Sequence, residues 1–218
     1  MSTGSIPALP APVARFADLV QPEKAARART LLLEGRGRIR QRPLPWLPMR
    51  IRIHVVPGEG RVMDLEMAFG PITVMRGLDA YLDGRGITKA VGSADVGPEI
   101  DQGAFHTLVI ETMLYPWAWS KLDFRWESVD DTTARLLVPF AGGTEGATVR
   151  FDRATGLPLA YEVPRFKGRG AKIDWRVDLL DWRRFGPVWS PGKFLVTWAD
   201  EPAPGTTCGW SACWSTST

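Results

Sequence analysis

The chain has 218 residues, of which 44% are hydrophobic and 23% are charged, and its net charge at pH 7 is only +3. These values are typical of one folded domain with a sizeable core, and they exclude an intrinsically disordered chain. Ten tryptophans accompany only two histidines and two cysteines, which leaves little for a metal centre or a His-based catalytic triad. The tryptophans favour a roomy, aromatic-lined interior and therefore a pocket for an apolar small molecule.

Residues 1–28 predict a short helical lead-in to the main domain. Met1 to Pro12 lack the charged start and apolar run of a signal peptide, so we expect a cytoplasmic protein. A short helix is predicted near Val13 to Val20, and Pro22 begins a second one because proline is tolerated in a first helical turn. No apolar run in the sequence approaches the roughly 20 residues that span a bilayer, so we expect no membrane span.

From residue 29 onward the hydrophobic pattern has a period of two, which indicates strands. The segment Pro57-Gly58-Glu59-Gly60 predicts a hairpin whose loop is its last three residues. This register places His54 opposite Asp64 and Arg52 opposite Glu66, so that opposite charges face each other. We therefore interpret His54 as a cross-strand partner rather than a catalytic residue.

Charge is unevenly distributed along the chain. Residues 24–52 hold nine basic side chains and one acidic one, whereas residues 95–131 hold eight acidic and two basic ones. One interpretation is that the arginines between residues 36 and 52 bind an anionic partner, such as nucleic acid or a membrane surface. We favour the other interpretation, in which the two regions offset each other on paired strands. We accordingly expect no nucleic-acid partner.

The remaining strands predict an antiparallel meander that curls into a barrel or half-barrel over residues 29–200. Residues 201–218 are left as a C-terminal tail that contains Cys208 and Cys213. A disulfide between the two is geometrically possible, but free thiols are favoured in the cytoplasm. The turns are predicted at residues 83–86, 130–131, 142–143, 155–156 and 190–192, and the strands at residues 71–82, 124–128, 133–140, 147–151, 159–164, 172–180 and 194–198.

One helix, over residues 101–115, interrupts the strands. Asp101 can act at its N-terminus, and Pro116 ends it because proline disfavours helical geometry at the preceding residue. Its apolar side chains spread almost all the way round, as in a helix that is buried rather than lying on a surface. The predicted fold class is therefore mainly β: a curled antiparallel sheet or open β-barrel that encloses, or is covered by, an apolar helix.

Two ionisable residues of this helix are candidate catalytic residues. A buried carboxylate at Glu111 can act as general acid or base, or anchor the polar end of a ligand. We favour the structural alternative, in which Glu111 forms a salt bridge to a sheet arginine such as Arg76 or bonds to backbone groups. His106 lies about 140° around the helix from Glu111, which disfavours a dyad. Pairing of His106 with an acid between residues 95 and 101 stays open.

The candidate ligand contacts are polar or aromatic. Asp79 and Tyr81 share one face of a predicted strand, which is either a polar lining or, as we favour, a wet surface. The aromatic residues that follow the helix, together with Trp175, Trp182, Trp189 and Trp198 from the last strands, form a candidate wall for an apolar or cationic ligand, although most tryptophans must serve core packing. The candidate substrate-binding residues are Arg76, Asp79, Tyr81, Tyr115, Trp117, Trp119 and Trp175. Phosphate-loop, serine-hydrolase and zinc-protease motifs are absent, so we expect no cofactor and no metal.

The order of features from about Arg29 to Trp198 resembles an uncharacterised bacterial family of unknown function. The resemblance implies a fold similar to the open, helix-plugged antiparallel barrels of lipoprotein carriers of the LolA type, with a hydrophobic cavity and no particular reaction. The stretches that carry it are residues 78–86 (LDAYLDGRG), 97–103 (GPEIDQG), 108–111 (LVIE) and 196–198 (VTW), with a Pro–Trp step and the strand pair around residues 126–135 between the last two.

Three functions are compatible with these features. The first is binding of an apolar small molecule, such as a lipid or a polyketide- or terpenoid-like metabolite, in a Trp-lined barrel cavity. The second is a cofactor-independent cyclase or isomerase of a hydrophobic natural product, with Glu111 as acid or base in the same cavity. The third is a module that binds an anionic surface through the basic strands. Whether the chain is an enzyme stays open at this point.

Overall fold

The chain forms one sheet and three helices within the part that the computed structural model describes. The first N-terminal helix, α1, spans Ala11–Val20, while the second one, predicted at Pro22, lies outside the described residues. The described residues are 8–20, 29–40, 45–69, 71–90, 92–185, 188–202 and 204–213.

The other two helices follow each other in the middle of the chain. Helix α2 spans Pro98–Met113, and a 3₁₀ helix spans Pro116–Leu122. Within the described ranges no helix combines the length and apolar character needed to cross a membrane. The strands are β1 (Leu31–Ile39), β2 (Leu47–Val56), β3 (Gly60–Phe69), β4 (Ile72–Leu82), β5 (Arg85–Ala90), β6 (Ser93–Asp95), β7 (Arg125–Ser128), β8 (Thr133–Phe140), β9 (Gly143–Phe151), β10 (Pro158–Phe166), β11 (Lys172–Phe185), β12 (Val188–Trp198) and β13 (Thr206–Cys213).

The strand order explains why α2 crosses the sheet. Strands β1 and β13 pair in the middle, and β6 and β7 are the two edges. The chain runs outward from β1 to β6, crosses through α2 and the 3₁₀ helix to the opposite edge, and returns inward from β7 to β13. The sheet is antiparallel and curled but not closed. The predicted fold class, a curled antiparallel sheet with an apolar helix, is confirmed.

The predicted register of the β2–β3 hairpin is wrong by two residues. Val56 pairs with Gly60, so the loop is Pro57 to Glu59, and His54 lies opposite Val62 rather than Asp64. Gly58, with φ of 79°, takes the left-handed position of this loop. Because the shift is an even number of residues, every side chain keeps its predicted face.

The basic residues of β2 lie beside acidic residues of the neighbouring strands. Arg52 on β2 forms an ion pair with Glu34 on β1, with 2.7 Å between Nη2 and Oε1, and lies opposite Asp64 on β3. Arg50 lies opposite Glu66 on β3. The offsetting acids therefore come from the neighbouring strands β1 and β3, not from residues 95–131 as we had expected.

Two predicted boundaries near the C-terminus differ from the structure. The predicted turn at residues 190–192 lies inside β12. Gly192 lets β12 lie close to the backbone of β11, because a Cβ on it would lie 2.7 Å from the carbonyl oxygen of Asp181. Pro191 is tolerated because β13 pairs with β12 only from Lys193 onward. The predicted tail contains β13, which fills the middle of the sheet between β1 and β12 and holds Cys208 as a buried free thiol.

Helix α1 adds an aromatic cluster to the hydrophobic core. The ring centre of Phe16, which is fully buried, lies 6.5 Å from Trp119, 6.3 Å from Phe151 and 6.0 Å from Trp182. These are distances at which tilted and edge-on aromatic contacts are favourable. Trp119 and Trp182 therefore serve core packing, as we expected for most of the tryptophans.

The close approach of the two central strands generates a stability prediction. A Cβ on Gly37 of β1 would lie 1.9 Å from the carbonyl oxygen of Thr207 on β13, so Gly37→Ala forces the middle of the sheet apart. We expect a loss of about 3 kcal/mol or more in the free energy of unfolding, measured by urea denaturation.

The matched control for this variant is Gly143→Ala. A Cβ there would meet its nearest neighbour, the carbonyl oxygen of Phe140, at 3.7 Å, which is ordinary contact. We expect a change within about 0.5 kcal/mol. Equal stability of the two variants would contradict the β1–β13 pairing.

Candidate functional site

A cavity of about 510 Å³ lies between α2 and the sheet. Its volume is in the range of small-molecule sites. The sheet side of the wall comes mainly from the central strands β1 to β3 and β11 to β13, and is mostly apolar. The apolar side chains include Leu33, Met49, Ile51, Ile53, Val177, Leu179, Phe194 and Val196.

Helix α2 turns one face toward this cavity. The residues on this face recur at helical spacing, from Ile100 through Ala104 and Thr107 to Leu114. The helix begins at Pro98, three residues earlier than predicted, with Gly97 as N-cap and without a side-chain cap. Asp101 is therefore not the N-cap; its Oδ1 accepts a hydrogen bond of 2.7 Å from the Gly86 backbone N–H on β5.

A buried ion cluster attaches one flank of α2 to strands β3 and β4. The Nε of Arg61 donates to both carboxylate oxygens of Glu111, at 3.1 and 2.9 Å, and its Nη1 donates to Oδ2 of Asp79 at 2.7 Å. Asp79 also accepts from the Thr88 hydroxyl at 3.1 Å. The Arg61 side chain is fully buried, and its Nη2 has no hydrogen-bond partner among the described residues. Arg61, Asp79 and Glu111 all line the cavity.

Glu111 therefore forms a salt bridge to a sheet arginine, as predicted, but the partner is Arg61 rather than the suggested Arg76. Arg76 lies on the exposed side of β4, with 76% of its side chain accessible, and pairs with Glu66 at 3.2 Å. It does not line the cavity. Asp79, in contrast, lines the cavity, so the polar-lining interpretation holds for Asp79 but not for Tyr81, which lies outside the lining.

Burial dominates the electrostatics of this cluster. It raises the pKa of the Glu111 carboxyl above its usual value, against the opposing effect of Arg61. Burial alone would lower the pKa of the Arg61 guanidinium, but Glu111 and Asp79 reverse this and raise it. Arg61 is thus a permanent cation, and two acids compete for it.

A second polar network attaches the opposite flank of α2 to β9 and β10. His106 is fully buried; its Nδ1 lies 2.9 Å from the Tyr161 hydroxyl and its Nε2 lies 3.4 Å from Glu145. The Gln102 side chain donates to the Pro164 carbonyl at 3.1 Å and accepts from the Phe166 backbone N–H at 3.1 Å. His106 therefore faces away from Glu111 and pairs with Glu145, rather than with Asp95, Glu99 or Asp101.

Both members of the His106–Glu145 pair have shifted pKa values. Burial lowers the pKa of His106 below its usual value, although Glu145 opposes this. The hydrogen bond from His106, aided by Lys172 and Gln102, lowers the pKa of Glu145 to about 2. A neutral His106 that donates from Nε2 to Glu145 and accepts at Nδ1 from Tyr161 satisfies both contacts.

The predicted aromatic wall separates into two groups. Trp175 lines the cavity, together with Trp198. Tyr81, Tyr115, Trp117 and Trp119 pack elsewhere: the ring centre of Tyr81 lies 5.5 Å from that of Phe105, that of Tyr115 lies 4.9 Å from that of Trp117, and the indole N–H of Trp119 donates to the Met113 carbonyl at 2.9 Å.

Arg165 is a cavity residue that sequence reasoning missed. Its guanidinium carbon lies 4.5 Å from the ring centre of Trp175 and 5.6 Å from that of Trp198, which are cation–π distances. Burial lowers the pKa of Arg165 to about 10, so it stays protonated at neutral pH. The sequence did contain a signal for Arg165. It lies on the same face of its strand as Tyr161 and Val163, which are both buried.

The donor set does not fit a metal ion. Among the described residues, no group of three or more His, Cys, Asp or Glu side chains is arranged to hold one. The cavity instead combines a mostly apolar wall with a few charged groups, of which Arg61, Asp79 and Glu111 already bind each other. Such a wall can hold an apolar molecule and orient it through few polar contacts.

Comparisons with known proteins agree with this architecture. The model of a family described as a family of unknown function, DUF6544, matches residues 1–207. A LolA superfamily protein from Nitrosomonas europaea is similar in structure, with a TM-score of 0.57, 8% identity and coverage of 97% of this chain and 96% of that chain. A DUF1329 family protein from Desulfovibrio piger gives a TM-score of 0.52, 12% identity and coverage of 97% and 95%. No curated protein matches the sequence.

These similarities concern the fold. At 8% and 12% identity they show a LolA-like architecture and carry no ligand or reaction to this chain. The resemblance drawn from the sequence, to a family of unknown function with a LolA-like fold, is confirmed.

The buried histidine generates a pH prediction. Because the pKa of His106 is lower in the folded chain than its ordinary 6.5, the unfolded chain binds more protons below pH 6.5. Folding stability is therefore complete above that pH and is lost as the pH falls toward the folded-state pKa. We expect the free energy of unfolding to fall by up to about 1.4 kcal/mol per pH unit below pH 6.5, and His106→Asn to reduce this slope.

The measurement is urea denaturation at several pH values between about 7.5 and 5. His54→Asn is the matched control, since His54 is exposed on β2. It should retain the slope of the unmodified protein. An undiminished slope in His106→Asn would exclude His106 as its source.

Proposed function

The chain thus belongs to DUF6544, a family of unknown function, and we propose that it binds an apolar small molecule, of the lipid or of the polyketide and terpenoid class, in the cavity beneath α2. The observation that carries this proposal is the cavity itself, of about 510 Å³ with a mostly apolar sheet wall. A cavity so lined is stabilised by an apolar occupant, because burying apolar surface is favourable. The hydrophobic cavity that a LolA-like fold implies supports the same function.

The helix above the cavity supports binding rather than simple packing. Side chains on both flanks of α2 bond to strands on opposite sides, through Arg61 and through Tyr161. These bonds oppose a collapse of α2 onto the central strands. The cavity is consequently preorganised, which reduces the ordering that a ligand must induce.

A second candidate is a cofactor-independent cyclase or isomerase that uses Glu111 as acid or base. The observation that favours it is a cavity-lining carboxyl whose pKa is raised by burial. Against it, both carboxylate oxygens of Glu111 already accept hydrogen bonds from Arg61. We therefore place this function second.

The surface-binding alternative is disfavoured by local neutralisation. The exposed arginines of β2 have acidic residues on the neighbouring strands: Glu34 pairs with Arg52, and Glu66 lies opposite Arg50. Opposite charges interleaved in this way weaken the field that an anionic surface would meet.

A bulky side chain inside the cavity should block binding. Thr107 lies on the cavity face of α2, and Thr107→Phe fills space that a ligand would occupy. We expect the neutral fluorescent probe N-phenyl-1-naphthylamine to bind the unmodified chain, and Thr107→Phe to weaken its binding by about tenfold or more in a fluorescence titration.

The control for this variant places the same side chain outside the cavity. Ser120 is exposed on the 3₁₀ helix, so Ser120→Phe should bind the probe as the unmodified chain does. Equal probe affinity in all three proteins would place the binding elsewhere and contradict the proposal.

Substitution of Glu111 separates the two candidate functions. Glu111→Gln keeps the size of the side chain and one acceptor for Arg61. A binding protein should retain its affinity for the probe within about threefold, because the apolar contacts are unchanged.

The chemical readout uses the compounds that co-purify with the chain, identified by native mass spectrometry after extraction. Incubation of these compounds with the unmodified protein and with Glu111→Gln should leave them unchanged. Conversion by the unmodified protein alone would establish the enzyme instead.

A further inference from the structure

Arg165 is a charged residue of the cavity wall that forms no ion pair with any described acid. Its guanidinium makes no hydrogen bond or ion pair with any residue that the structure describes, and its Nε is buried without an acceptor. Lys167, two residues along, pairs with Asp200 and Glu201 at 3.0 and 2.8 Å. Arg61 has two carboxylate partners. Arg165 is therefore a cation in the cavity wall with unused donors.

The surroundings of Arg165 hold its guanidinium in place without using these donors. Trp175 and Trp198 contact it through their rings, and ring contacts do not replace hydrogen bonds. On the helix side it faces Gly103, where a Cβ would lie 3.2 Å from Nε and 3.4 Å from Nη2. A glycine at this position of α2 therefore lets the guanidinium pack close to the helix, and both residues line the cavity.

Resting on the proposed function, we propose that Arg165 binds the anionic oxygen headgroup of an amphiphile, a carboxylate or a phosphate monoester, whose apolar chain fills the rest of the cavity. Asp79 attracts the Arg165 guanidinium without bonding to it, so an anionic oxygen would supply the hydrogen-bonded acceptor that Arg165 lacks. A guanidinium presents paired donors that match such a group. The apolar side chains beyond Trp175, including Val177 and Leu179, suit the chain.

Arg61, the fully buried arginine of the cavity, does not compete for this headgroup. Arg61 already binds Glu111 and Asp79, so an additional anion there would meet two carboxylates and be repelled. Arg40 also lines the cavity, but its guanidinium stacks on Trp46 at 4.9 Å and, unlike Arg165, it has no buried donor without an acceptor among the described residues. These differences assign the headgroup to Arg165.

The experiment measures displacement of N-phenyl-1-naphthylamine by three twelve-carbon ligands that differ only in their headgroups. These are dodecanoate, dodecyl phosphate and dodecan-1-ol. We expect at least one anion to bind the unmodified chain about tenfold or more tightly than the alcohol, since a charge-assisted hydrogen bond is added to the same apolar contacts. The anion that binds better identifies the headgroup as carboxylate or phosphate.

Arg165→Gln should remove this preference. The anion should fall to the affinity of the alcohol, while the affinity for dodecan-1-ol should change by less than about threefold, because the apolar contacts remain. Arg165→Lys, which keeps the charge and the stacking position, should retain an intermediate preference and serves if Arg165→Gln does not fold. Arg76→Gln is the matched control on the exposed face and should change nothing.

The outcomes separate this inference from the proposed function. If dodecan-1-ol displaces the probe and neither anion binds better, or if Arg165→Gln weakens all three ligands equally, the headgroup assignment is wrong and apolar binding stands. If none of the three ligands displaces the probe, the proposed function itself fails.

Discussion

The cavity depends on one buried guanidinium. Arg61, at the start of β3, has no exposed side-chain surface, and it holds Glu111 of α2 and Asp79 of β4 at 2.9 and 2.7 Å. A buried charge is tolerated only when it is paired and hydrogen-bonded, and removing one partner of such a pair costs about 3–5 kcal/mol. The helix could therefore not bury Glu111 without Arg61, and the sheet could not bury Arg61 without its carboxylate partners. The ion cluster fixes where α2 lies along β3 and β4.

The second requirement is that α2 be held from both flanks. Glu111 bonds toward β3 and β4, while Gln102 and His106 bond toward β9 and β10. A surface helix with a single apolar stripe would pack that stripe flat against the sheet and leave no space. This helix instead spans the curled sheet between two polar attachments, and its remaining face covers the central strands. The cavity is the space that these lateral attachments leave open.

Local patterns predicted the architecture but not the partners. Period-two alternation placed most strands, and Pro116 placed the end of α2 to within two residues. Local patterns do not identify the partners of an ion pair when these are far apart in the sequence, and Arg61 and Glu111 are separated by 50 positions. A usable signal did exist, because Arg61 alternates with Met63 and Met67 on one face of β3. A charged residue in phase with apolar ones must be paired in the core or face a cavity. The sequence of β13 contains no comparable signal. Its position in the sheet is determined by pairing with β1 and β12, which are distant in the sequence.

The same rule distinguishes Arg61 from Arg165, two of the arginines that line the cavity. Both lie on apolar faces of strands and line the same space, but Arg61 is fully buried whereas Arg165 is half-buried. Arg61 is saturated by two carboxylates and therefore belongs to the scaffold. Arg165 is stacked on Trp175 but bonded to nothing among the described residues. A buried donor without an acceptor is unfavourable in the empty protein and becomes favourable when a ligand supplies the acceptor. Selectivity for one end of a ligand arises where the scaffold leaves such a donor unpaired, because a ligand without the matching acceptor leaves that donor unsatisfied.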